Sequence, residues 1–158
     1  MVEFFENMYA FWSFIIAVIT AQLAKPLYLV LLKKKIDFSL AIESGGFPSS
    51  HTAGAFALCF SIGYREGFTG TLFAISLALA VIISYDAANV RYYAGRNIEL
   101  TQQLIKDVQD LTQTKLSDPI YASKIKNVLG HKWIEVVGGL VHGILIASIL
   151  YYLSTIRL

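Results

Sequence analysis

Residues 44–64 read SGGFPSSHTAGAFALCFSIGY, and the two halves of this stretch obey different rules. Gly45, Gly46 and Pro48 interrupt any regular element, whereas Ser49 and Ser50 are residues that open helices. From Thr52 to Tyr64 the chain is apolar apart from small hydroxyls. A loop therefore feeds the N-terminus of an apolar helix, where unpaired N–H groups and the helix dipole attract an anion. Ser49 and Ser50 supply hydroxyl donors, the backbone around Gly46 supplies N–H groups, and His51 places a titratable ring at the rim. A phosphate fits this arrangement. An ordinary N-cap, with Ser50 capping and Gly45-Gly46 turning, accounts for the same residues. No Gly-Lys-Ser/Thr follows, which excludes a Walker A loop.

The apolar run 52–64 is joined through residues 65–68 to a second one at 71–88. Both are shorter than the roughly 20 residues of a simple membrane span. Together they predict a helical hairpin that starts inside the protein or in a polar cavity, with a re-entrant pair as the alternative. Runs at 9–32 and 133–153 are long enough to cross roughly 30 Å of hydrocarbon. Composition agrees: of 158 residues, 56% are hydrophobic and only 15% charged, against about 25% charged in soluble domains. The chain reads as one all-α, membrane-embedded domain over 1–158, a bundle of about four membrane segments. A polar helical insertion at 89–130 separates the third from the fourth. Within it Ile98, Leu100, Leu104, Ile105, Val108 and Leu111 recur at helical spacing, which predicts an amphipathic helix ending near Thr112 on the membrane surface or in water. Ser117-Asp118-Pro119 then starts a short helix toward Leu129.

Thirteen basic and eleven acidic residues give a net charge of +2, too balanced for a nucleic-acid partner. Cys59 is the single cysteine and forms no intramolecular disulfide. The first ten residues, MVEFFENMYA, lack the basic start of a signal peptide, so the first helix is expected to stay in the mature protein. Ten basic residues, Lys33, Lys34, Lys35, Arg91, Arg96, Lys106, Lys115, Lys124, Lys126 and Lys132, fall on one side of a four-segment topology. Arg65 and Arg157 fall on the other. The positive-inside rule places the ten in the cytoplasm and both termini outside. The small buried surface of four short helices suits a homodimer, and Gly138, Gly139 and Gly143 serve either that contact or packing within one chain.

Ionisable side chains in apolar segments cost roughly 2.5–3.5 kcal/mol each, so they are candidates for function. Here they are Lys25, His51, Asp86, His131, Glu135 and His142. His131 and Glu135 are four apart and share a helix face, so the carboxylate can take one imidazole N–H and leave the other nitrogen free as a nucleophile. A structural His–Glu pair is the alternative. A zinc site is excluded, because His142 stands about 16 Å further along the same helix; it is expected to make an interhelical hydrogen bond. Lys25, Arg91 and Arg96 together can neutralise a phosphoryl group, with Asp86 beside them. A snorkelling lysine and a surface salt bridge read the same residues without function.

The series Gly45-Gly46-Phe47-Pro48-Ser49-Ser50-His51-Thr52-Ala53, Tyr85-Asp86-Ala87 with Arg91 and Gly95, and Gly130-His131 with Glu135 and Gly138 resembles the divergent branch of the type 2 phosphatidic acid phosphatases, the acid phosphatase/vanadium-dependent haloperoxidase-related family. The resemblance covers nearly the whole chain. It implies that Lys25, Ser49 and Ser50 bind phosphate, that His51 is the general acid and His131 the nucleophile, and that Glu135 replaces the orienting aspartate. The family's two further arginines are Leu32 and Ile125 here, which leaves Arg91, Arg96 or Lys126 to take their place. No metal or other cofactor is implied. The implied activity is hydrolysis of a lipid phosphomonoester such as phosphatidylglycerophosphate or phosphatidic acid through a phosphohistidine. A non-catalytic lipid-phosphate binder or small transporter subunit is the competing class.

Overall fold

A computed structural model of the chain describes residues 8–31, 45–116 and 130–156. Among the described residues five helices follow one another: α1 (Tyr9–Leu31), α2 (Ser50–Glu66), α3 (Thr71–Ala88), α4 (Val90–Thr112) and α5 (Trp133–Ile156). No strand occurs among the described residues. The architecture is an all-α membrane helical bundle in which α1, α3 with its continuation, and α5 are long and apolar enough to span. The short helix expected after Pro119, together with Leu32, Ile125 and Lys126, lies outside the described residues.

Small residues make α2 the centre of the bundle. Ala53, Gly54, Ala55, Ala57, Cys59, Ser61 and Gly63 are all buried along it, and it packs against α1, α3 and α5. Backbones approach closely where side chains are small. On α5, a Cβ at Gly139 or Gly143 would fall on the carbonyl oxygens of Ser49 and Ala53, so these two glycines serve packing within the chain. The flanking helices turn their large side chains outward instead: Leu23, Ile82, Val137 and Ile149 are exposed. Apolar surface of that extent needs hydrocarbon over it. α2 itself is buried by its neighbours at 17 residues, and is not among the helices long enough to span. The sequence expectation of about four membrane segments therefore narrows to three long helices around a short central one.

The helices alternate in direction. The C-terminal end of α1, the N-terminal end of α2, the α3–α4 junction and the N-terminal end of α5 share one end of the bundle, as the contacts between them below show. At the other end the Arg65 guanidinium lies 4.5 Å from the Tyr9 ring centroid, and Tyr64 stacks on Tyr151 and hydrogen-bonds Ser148 at 2.8 Å.

The polar insertion differs from expectation in how it begins. α3 passes into α4 through Asn89 alone (φ −114°, ψ −70°), with Asn89 N–H donating to Tyr85 O and Tyr93 N–H to Asn89 O, each at 2.9 Å. The amphipathic helix ends at Thr112 as its periodicity predicts, and Gln113 takes a left-handed conformation (φ 52°). Its apolar stripe is unpacked, however: Leu100 is 62% and Leu111 85% exposed, and Gly95 is the buried residue of α4.

Candidate active site

At the α2 N-terminus the cap is Ser49 rather than Ser50. Its backbone is extended, and its Oγ accepts from Thr52 N–H at 3.4 Å and from Thr52 Oγ1–H at 3.1 Å. An oxygen that only accepts keeps its own O–H to donate. Ser50 is the first helical residue and is buried. Gly45 and Gly46 have φ of 98° and 83°, which glycine adopts without strain. Thr52 is a site residue that sequence reading passed over, because a β-branched hydroxyl inside a helix carries no signal of its own.

The loop is tied down from α5. Ser49 N–H donates to Glu135 O at 2.9 Å, and His131 N–H donates to Ala87 O at 2.9 Å. Gly130 abuts the backbone of Arg91 and Tyr92, where any Cβ would collide. These contacts bring the start of α5 against both the loop and the α3–α4 junction. Gly130 is thus a further positioning residue, and a glycine immediately before His131 was its only trace in the sequence.

His131 is 2% exposed. Glu135 Oε2 accepts from its Nδ1–H at 3.0 Å and from Lys132 N–H at 3.2 Å. With the proton fixed on Nδ1, Nε2 presents a lone pair; that atom is buried and has no hydrogen-bond partner among the described residues. The His51 ring stands opposite, 5.8 Å away between centroids and tilted by 67°. Arg91 reaches His51 Nε2 in a long contact of 3.5 Å from Nη1, and Arg91 Nε–H donates to Asp86 Oδ2 at 2.9 Å. A guanidinium only donates, so His51 meets it with an unprotonated Nε2. His51 lies in the first turn of α2, outside the three spanning helices. Burial first, and then the Arg91 charge, hold its imidazole below the ordinary histidine range, while Asp86 pulls the other way.

Lys25 is 2% exposed, and its stem passes beneath the loop: a Cβ at Gly46 would lie 3.7 Å from Lys25 Cδ. Its charge is also felt at His51. The fold thus gathers Lys25, Gly46, Ser49, Ser50, His51, Asp86, Arg91, His131 and Glu135 at one end. It does not bring Arg96 in by any contact found among the described residues; that side chain is largely exposed and pairs with Glu99 at 2.9 Å. His142 is elsewhere, bridging α5 to α1. Thr20 donates to Ile16 O at 2.7 Å, so its oxygen receives His142 Nε2–H at 2.9 Å.

Comparisons with known proteins bear on this cluster. A family model described as "Divergent PAP2 family" matches residues 6–146. The uncharacterized membrane protein YuiD of Bacillus subtilis (strain 168) is 35% identical over 145 residues, covering 89% of this chain and 92% of that protein. No solved structure matches.

Proposed function

The chain belongs to the divergent PAP2 family, and from that premise we propose that it is an integral-membrane phosphatase that hydrolyses a lipid phosphomonoester through a phosphohistidine. The observation that carries the reading is the buried His131, with Nδ1 held by Glu135 and Nε2 facing His51 without a hydrogen-bond partner among the described residues.

In the first step His131 Nε2 attacks phosphorus. The N–P bond forms as the bond to the lipid oxygen breaks, and His51 gives its proton to the departing alkoxide. In the second step His51 takes a proton from water, the resulting hydroxide attacks the phosphohistidine, and inorganic phosphate leaves. Glu135 stabilises the positive charge that develops on the imidazole. Lys25, Arg91, the Ser49 hydroxyl and the backbone N–H groups at the α2 N-terminus stabilise the charge on the phosphoryl oxygens. Arg91 supplies bidentate donors from the α3–α4 junction, where Asp86 aims it. An incoming phosphate that draws Arg91 away from His51 Nε2 also favours the protonated imidazole that the first step requires. Phosphatidic acid and phosphatidylglycerophosphate at the cytoplasmic face of a bacterial membrane are the substrates that suit the charge distribution.

Phosphate release from these two lipids in detergent tests the reading. His131→Ala and His51→Ala are each expected to lower release by about 10²-fold or more. No release from either lipid, or equal release by wild type and both variants, would reject catalysis and leave a non-catalytic lipid-phosphate binder.

A further inference from the structure

The loop 45–49 has two kinds of residue. Gly46 and Ser49 face Lys25 and the α2 N-terminus, whereas Phe47 and Pro48 line a groove of about 580 Å³ between α1 and α5. Its walls are otherwise mostly apolar, with Ala24 and Leu27 from α1 and Val137, Val141 and Leu145 from α5, and the Tyr28 ring beside Phe47. His142, a polar group in the wall, already donates to Thr20. Both bounding helices are long and apolar enough to span, so the groove opens onto hydrocarbon.

Three features connect this groove to the histidine cluster. Tyr28 is one turn beyond Lys25, Gly138 one turn beyond Glu135, and Phe47-Pro48 lie between Gly46 and Ser49. Phe47 is held in place: its ring lies 4.5 Å from that of Tyr28 at 30°, and the missing Cβ of Gly138 leaves the space its ring occupies. From Ile134 to Leu145 the groove follows α5 for about 16 Å at 1.5 Å per residue, roughly half of a 30 Å hydrocarbon core. That is the depth of one leaflet, measured from the end of the bundle where the histidines lie.

We propose that a hydrocarbon chain of the phosphorylated ligand lies in this groove, with Phe47 as the wall shared by chain and headgroup. The proposal rests on the reading of the histidine cluster as a lipid-phosphate site. It assigns recognition of the chain to α1 and α5, and recognition of the phosphate to the loop and the histidines.

Val137 and Val141 are 56% and 50% exposed, so tryptophan at either position fills the groove without entering the core. The full chain in detergent micelles is tested in two ways. Native mass spectrometry reads retention of dioleoyl phosphatidic acid against dioleoyl phosphatidylcholine. Phosphate release reads the ratio of kcat/KM for dioleoyl phosphatidic acid to that for glycerol 3-phosphate. Val137→Trp and Val141→Trp are expected to lower both retention and the ratio at least tenfold, while Ile149→Trp, exposed on α5 beyond the groove, matches wild type. Undiminished retention in the groove variants, equal retention of phosphatidylcholine by wild type, or a loss shared by Ile149→Trp would each overturn the proposal. If wild type releases phosphate from neither compound the phosphatase reading fails, and the retention measurement still decides the groove.

Discussion

Glu135 joins two parts of the site with one residue. Its carboxylate fixes the His131 tautomer and takes Lys132 N–H, while its carbonyl takes Ser49 N–H from the loop. Glu135→Gln keeps the backbone contact and the length of the side chain but offers an NH2 group that can be turned toward Nδ1. The wrong tautomer then competes, so kcat is expected to fall by about 10²- to 10⁴-fold with KM little changed; steady-state phosphate release measures it, and an unchanged kcat would deny Glu135 its orienting role. The pH dependence follows from His51. Its ring is held below the ordinary histidine range by burial and by Arg91, and as general acid it acts only when protonated. The limb of kcat/KM due to His51 therefore falls as pH rises, with a midpoint below about 6.5. Asp86→Asn removes the charge that opposes the shift and is expected to move that limb to still lower pH, whereas a midpoint moving upward would contradict the assignment. His51, His131, Glu135 and Asp86 were legible in the sequence because ionisable groups stand out against an apolar background. Arg96, inside the polar insertion, joined the candidates by its charge alone, yet spacing does not name a partner, and Glu99 one turn on takes it. Phe47 against Gly138 carried no such contrast, since an aromatic ring beside a glycine is unremarkable until the chain is folded.

Among the elements, α2 and α4 show what patterning does and does not specify. The apolar runs, punctuated by Gly and Pro, placed helix ends within about three residues of those found, because the same residues that interrupt hydropathy also interrupt helices. The continuity of α3 into α4 was hidden: hydropathy changes abruptly at Asn89 while the backbone hydrogen bonds run on. The periodic stripe of α4 was equally visible in the sequence, but periodicity reports a face and not what covers it. Substitutions on the two helices should accordingly differ. At Gly139 an added Cβ meets the Ser49 carbonyl oxygen and the Thr52 side chain, and backbone has little room to yield. Gly139→Ala is expected to lower stability in detergent by about 1–3 kcal/mol and to lower the proposed activity with it, since the same carbonyl belongs to the loop beside His51. Leu104→Ala and Leu111→Ala remove side chains that are more than half exposed, and are expected to stay within about 0.5 kcal/mol. Thermal unfolding of the purified chain compares them; a large loss at Leu111 would mean that its face is packed after all.

At the scale of the whole molecule, the alternating helix directions collect the histidine cluster at one end and a cluster of packed rings, Phe60, Tyr64, Phe68, Phe73 and Tyr151, at the other. Lys25, His51, Asp86, Arg91 and His131 reach the polar end from α1, α2, α3, α4 and the residues just before α5, and each lies within two turns of a helix terminus. A site near helix termini is expected at the depth of the headgroups, where an ionisable residue costs least and where a lipid phosphate of the proposed substrate lies. Which side of the membrane that end faces is a matter of charge. Of the ten basic residues counted in the sequence, the described ones are Arg91 and Lys132 at the polar end and Arg96, Lys106 and Lys115 on or just past α4, which leaves from it, while Arg65 is at the aromatic end, 4.5 Å from the Tyr9 ring centroid. By the positive-inside rule the histidines are expected at the cytoplasmic face, which labelling tests. Cys59 is fully buried, so a membrane-impermeant maleimide meets little background in the native chain. Cysteine introduced at Gly70, in the turn after α2 at the aromatic end, is expected to react in intact cells. Cysteine at Thr114, just past α4, is expected to react only after permeabilisation. The opposite pattern would turn the site outward, and the substrate would then have to be a lipid phosphate of the outer leaflet.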